Sequence, residues 1–194
     1  MPYKLIAKEL LEKAKKMINE TDWTFYSNNQ DIKLETKMYP NCPVPCFRAN
    51  GFVNAETHKV FNVANENNSE VDADILEFKL EKYDDDTNIV KQVNKLPWPL
   101  WSRKALTALT KIVEDNGNCW IIGHSTPDSK DETDKYVTVN VHMSVFGFIP
   151  ENYGTRVWRI THIDPAGYIP TYVINSNAEK FSHAILEMKN YPYS

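Results

Sequence analysis

Histidines, cysteines and carboxylates bound the chemistry open to this chain. His162 and Asp164 stand two residues apart in an apolar stretch. On a strand that spacing puts both on one face, where they could work as an acid–base pair. The other reading makes His162 a strand-end residue and Asp164 the cap of the turn into Pro165-Ala166-Gly167. The remaining histidines, His58, His124, His142 and His183, include no pair four residues apart around a glutamate, so zinc-hydrolase chemistry has no support. Cys42 and Cys46 bracket Pro43-Val44-Pro45 with no second ligand pair at zinc spacing, and Cys119 stands alone. The sequence therefore points to three free thiols in a reducing compartment and to no metal or other cofactor. Asp84-Asp85-Asp86 reads as a solvated hairpin tip. No Gly-x-Ser-x-Gly elbow, phosphate loop or dinucleotide fingerprint occurs, and the six glycines are scattered.

The elements that must hold these residues fit one domain spanning 1–194. A net charge of −4 argues against nucleic acid as a partner. The N-terminus is charged throughout, unlike a signal peptide, and no stretch nears the ~20 apolar residues of a membrane span. These features lead to the expectation of a cytoplasmic protein. An aromatic content of 12% fits either a full core or an apolar binding cavity.

Periodicity predicts a first helix over residues 3–19, with Leu5, Ile6, Leu10, Ala14, Met17 and Ile18 as its apolar side. Strands are expected at 23–26, 32–39 and 47–53, then short helices at 55–65 and 71–78. Further strands are expected at 78–83, 89–96, 105–113, 118–124, 136–148 and 155–164, with a charged loop over 127–134. A last helix runs from about 172 to 189, where Ile174, Ala178, Phe181, Ile185 and Met188 recur at steps of three and four and share one stripe. Helix first, antiparallel strands, long helix last is an α+β layout.

Two segments then carry a family resemblance. One is Lys95-Leu-Pro-Trp-Pro-Leu-Trp-Ser-Arg103; the other runs from Thr161-His-Ile-Asp-Pro-Ala-Gly-Tyr-Ile-Pro170 into Thr171-Tyr-Val-Ile-Asn175. They resemble the signature segments of the START domain family, the steroidogenic acute regulatory protein-related lipid transfer domains, with coverage from about residue 3 to 190. The resemblance implies a helix-grip fold: a curved antiparallel sheet wrapped around the C-terminal helix, with an internal lipid tunnel. It implies non-catalytic binding and transfer, or sensing, of a single lipid by a monomer that docks transiently on a membrane surface. Two alternatives stay open: an enzyme on the same scaffold using His162 or His142, and a regulatory module controlled by its ligand.

By the same resemblance the helical stripe Ile174, Ala178, Phe181, Ile185 and Met188 forms the inner face of a lid. Trp98, Leu100 and Trp101 form a membrane-docking loop beside it. The chain departs from the family pattern at two tunnel positions. Leu109 stands where many members carry an arginine, and Val90 near where some sterol binders place an acid. Lys104 likewise stands where many have Asp. Without that charged pair, phospholipid is favoured over sterol. Thr107 shares the face of Leu109, and Ile121 and Val141 complete the expected wall. Arg159 shares a strand face with Val157, Thr161 and Ile163, the face carried over as inward. Plain hydropathy puts Trp158 and Ile160 inside instead.

Overall fold

A computed structural model of the chain describes residues 2–40, 42–66, 74–126 and 135–193. The elements in chain order are α1 (Pro2–Asn19), β1 (Thr24–Asn29), β2 (Ile32–Lys37), β3 (Cys46–Val53), α2 (Thr57–Glu66), β4 (Ile75–Lys82) and β5 (Thr87–Asn94). There follow β6 (Arg103–Val113), β7 (Cys119–Ser125), β8 (Val137–Thr138), β9 (Asn140–Glu151), β10 (Gly154–Asp164) and α3 (Thr171–Asn190). The strands form one curved sheet in the order β1-β2-β3-β10-β9-β7-β6-β5-β4, with β8 alongside β6. All pairings are antiparallel except the short β8–β6 bridge.

Both faces of this sheet are covered, so its central strands bury both sets of alternating side chains. On the inner face Leu34, Phe47, Ala49, Phe148 and Val157 pack with α2 and α3. On the outer face Trp120, Ile122, Met143, Val145 and Ile160 pack under α1. The buried side of α1 is Tyr3, Ala7, Leu11, Ala14 and Met17, and Leu5 lies in solvent. This rotates the expected stripe, because the small Ala7 and Ala14 let the helix settle close to the sheet.

Two further expectations change. Residues 75–78, expected to be helical, open β4: Leu76, Phe78 and Leu80 alternate with Glu77, Lys79 and Glu81, and pairing to β5 overrides helix propensity. Residues 71–73 and the loop 127–134 lie outside the described residues. The strand expected over 136–148 divides at Val139 into β8 and β9.

Arg48 ties three elements together. Its Nη1 donates to the carbonyls of Met17 (2.6 Å), Ile18 (3.3 Å) and Glu20 (3.0 Å), acceptors that the end of α1 leaves without partners. Its Nε and Nη2 donate to Glu35 Oε2 at 3.0 and 2.6 Å, and the guanidinium stacks 4.5 Å from the Trp23 ring centroid. Burial alone would raise the Glu35 carboxyl, but hydrogen bonds from Lys33 and Arg48 outweigh it and hold it below its ordinary value. A depressed carboxyl stabilises the fold above its ordinary pKa, and that stability is lost as pH falls through the lower folded value. Arg48→Met should therefore cost about 3–5 kcal/mol in urea denaturation, since it strands a buried carboxylate and three carbonyls. The deficit should shrink as the pH is lowered below the carboxylate range.

Candidate ligand-binding cavity

Between the inner face of the sheet and α3 lies a cavity of 490 Å³. That volume falls among single-ligand pockets of about 300–1,000 Å³. Strands β5, β6, β7, β9 and β10 contribute inward positions, and β3 adds Phe47. Val90, Gln92 and Asn94 come from β5, and Arg103, Ala105, Thr107 and Leu109 from β6. Ile121 comes from β7, Ser144 and Phe146 from β9 with Val139 and Val141 near its start, and Arg159, Thr161 and Ile163 from β10. One end is closed. Beyond Phe146 and Arg159 the next inward residues, Phe148 and Val157, are fully buried core.

Of the expected wall residues, Val90, Thr107, Leu109, Ile121, Val141 and Arg159 border the cavity. Val90 pairs with Thr107 in the ladder and Asn88 with Leu109, so this stretch of the wall carries no charge. Arg159 reaches inward, while Ile160 is buried beneath α1 and Trp158 half-buried on that same outer face. Hydropathy could not decide between these parities because both faces are covered.

The helical stripe divides in two. Ile174 and Phe181 line the cavity, joined by Val173 and Lys180. Ala178, Ile185 and Met188 lie off the cavity wall, in the filled core over β2 and β3. Phe181 stacks on Phe47 of β3, ring centroids 4.9 Å apart. The division arises because Ile185 meets the backbone of β3 at Gly51, where an added Cβ would lie 3.0 Å from its Cγ2.

Gln92, Asn94, Ser144 and Phe146 escaped the sequence reading. The first two follow from alternation with Val90. The last two were hidden by a β-bulge. Met143 pairs with His162 and Val141 with Ile163, leaving His142 as an extra residue. Val141 and Ser144 therefore both face inward, whereas strict alternation would point Met143 and Val145 there.

The open end is ringed by loop residues Lys95 and Leu96, by Arg103, and by Pro165 and Ile169 ahead of α3. Arg103 joins the two loops: Nε donates to the Pro165 carbonyl (2.7 Å), Nη2 to Ala166 (3.1 Å) and Nη1 to Trp101 (2.6 Å). Ala166 and Gly167 both sit in the left-handed region, at φ 54° and 67°, and Asp164 Oδ1 accepts the Ala166 N–H at 2.9 Å. Above this joint Trp98 is 91% exposed and Trp101 63%, with Tyr168 and Tyr172 exposed beside them, while Leu100 is half-buried. The first turn of α3 carries no side-chain cap and no acidic residue.

The acid–base alternative finds no geometry here. Among the described residues no histidine borders the cavity. His162 faces outward under α1, stacked on His142 and Tyr39 at 4.8 and 5.3 Å, and Asp164 serves the turn instead. Cys42, Cys46 and Cys119 are buried, and burial pushes the Cys46 thiol up to about 12.

The START domain family profile matches residues 5–184. The chain belongs to the START domain family. Its fold superposes on human StAR-related lipid transfer protein 5 with a TM-score of 0.80 at 13% identity, covering 96% of this chain and 94% of that one. The lipid transfer and protein localization domain of human StarD13 (DLC2) gives 0.73 at 21% identity, covering 96% of each chain. A STAR-related lipid transfer protein from Xanthomonas axonopodis gives 0.70 at 20%, covering 87% of this chain and 97% of that one. Comparison with curated protein sequences yields no match. No helix among the described residues is long and apolar enough to cross a membrane.

Two predictions follow from this START domain. Burial, then the neighbouring His142 and Lys13, hold His162 down to about 4, only partly offset by Asp164. The unfolded chain takes up that proton at the ordinary value of 6.5. Stability is therefore present above 6.5 and declines as pH falls toward 4, and His162→Phe should flatten that decline in thermal melts. Replacing Arg103 by Met should cost about 2 kcal/mol in denaturant and speed hydrogen exchange at 166–169, because three carbonyls lose their donor.

Proposed function

We propose that this START domain binds one lipid and carries it between membranes without chemical change. The reading is supported above all by the form of the cavity: closed at one end, mostly apolar along its walls, and open beneath a ring of exposed aromatic side chains. Each methylene taken from water into such a space contributes about 0.8 kcal/mol, so a lipid tail needs no covalent anchor. The solved relatives are named as lipid transfer proteins, which fits the same role.

Trp98 and Trp101 would act at the membrane. Indoles favour the bilayer interface, each presenting about 150–250 Å² of contact area. Because Arg103 ties the Trp loop to the joint ahead of α3, docking of the loop and opening of the uncapped helix end would be one motion. Phospholipid is favoured over sterol, since Val90 and Leu109 leave the β5–β6 wall without the arginine–acid pair.

Extraction of the purified protein with organic solvent should yield one unaltered lipid class, identified by mass spectrometry. Absence of bound lipid, together with no binding across a head-group panel, would sink this reading. The double variant Trp98→Ala, Trp101→Ala should melt as the native protein does, because both side chains are exposed, yet transfer lipid between liposomes at least about tenfold more slowly.

A further inference from the structure

The closed end of the cavity holds a charge that no described residue compensates. Arg159 sits opposite Phe146 in the β9–β10 ladder, and its guanidinium lies 4.1 Å from that ring centroid. Its remaining accessible surface is cavity wall. Among the described residues no carboxylate lies within 4.0 Å of it and none of its N–H groups finds an acceptor, in contrast to Arg48 and Arg103. Burial alone acts on its ionisation, drawing it down to about 10, still well above neutrality. A buried cation in that condition is costly unless a ligand completes it.

Two hydroxyls stand beside it. Thr161, two residues along and on the same face, is 1% exposed, and its Oγ1 has no hydrogen-bond partner. Ser144 pairs with Thr161 across the ladder and also borders the cavity. A guanidinium fork flanked by two hydroxyls is donor-rich and matches a phosphate or carboxylate oxyanion. The walls nearer the mouth, among them Val90, Leu109 and Ile174, suit a hydrocarbon chain.

We infer that Arg159, Thr161 and Ser144 form an oxyanion subsite at the closed end of the cavity, which selects acidic lipids and seats them head inward, tail toward the mouth. This rests on the carrier reading. At about 3.3 Å per residue, the five positions from Arg159 to Asp164 set the head roughly 16 Å below the joint ahead of α3.

The test measures the binding of decanoate, decyl phosphate and decanol to the full chain by calorimetry, with inorganic phosphate as competitor. The native protein should prefer both acids over the alcohol by roughly 10- to 100-fold. Arg159→Met should abolish that preference, keep the affinity for decanol, and raise the melting temperature of the unliganded protein. Thr161→Val should reduce the preference several-fold. An Arg159→Met protein that keeps the native preference, or that is less stable than native, overturns the subsite while leaving the carrier reading intact. Inorganic phosphate competing as strongly as decyl phosphate would likewise overturn lipid selection. Binding of none of the three amphiphiles overturns carrier and subsite together.

Discussion

The close approach of Ile185 to Gly51 governs where space remains inside this molecule. With no Cβ at Gly51, the C-terminal half of α3 sits directly on β3, and Ile185 and Ile32 crowd the place a Cβ would take. Its N-terminal half, facing Val90, Ala105 and Thr107 across the curve of the sheet, meets small side chains that do not reach it. The space of 490 Å³ left between the sheet and this half of the helix is open at the end ahead of α3. Gly147 does the corresponding work on the outer face. The Trp120 ring lies across it so closely that a Cβ would overlap the ring, and this flat contact lets α1 seal the sheet from outside.

Three arginines reach into the interior, and their surroundings divide structure from binding. Arg48 and Arg103 spend their donors on backbone carbonyls that a helix end and two loops leave open, so each converts an unsatisfied terminus into a joint. Arg48 also holds a carboxylate, which keeps its charge compensated where it is buried. Among the described residues Arg159 has only the face of Phe146. Cation–π attraction of that kind is worth about 2 kcal/mol when desolvated, and the rest of the guanidinium's solvation must come from whatever fills the cavity.

The elements were legible in the sequence wherever one face met a covering layer of opposite character. The spacing of Ile174, Phe181 and Ile185 gave the long helix, and alternation at Ile32 to Met38 gave β2. The family segments named the joint around Asp164, Gly167 and Pro170, and the family's tunnel positions pointed to the wall at Val90 and Leu109. What alternation could not resolve was any strand covered twice. Trp158, Arg159 and Ile160 carry two valid apolar readings, and only the position of α1 on the sheet decides between them. Ser144 and Phe146 required the bulge at His142, whose one extra residue exchanges the two faces of β9. The division of the lid stripe between cavity and core depended on a single backbone contact at Gly51, which no periodicity encodes.

The polar groups along the walls bear on how an acidic head could travel inward. Asn94 pairs with Arg103 at the mouth, Gln92 follows two residues deeper on β5, and Thr107 lies opposite Val90 on β6. Thr161 and Ser144 stand further along on the facing strands, one step before Arg159. Successive inward positions on a strand are about 6.6 Å apart, twice the rise per residue, so an oxyanion meets a new donor roughly every two residues along its path. An isolated charge in an apolar tube would face a desolvation cost of several kcal/mol; a ladder of amides and hydroxyls divides that cost into small steps. The apolar side chains between these rungs, Val90, Leu109 and Ile121, remain available to the tail that follows. On the proposed orientation, donors and apolar side chains that alternate along the same strands would serve head and tail in turn, and an acidic head would supply the partner that Arg159 lacks among the described residues.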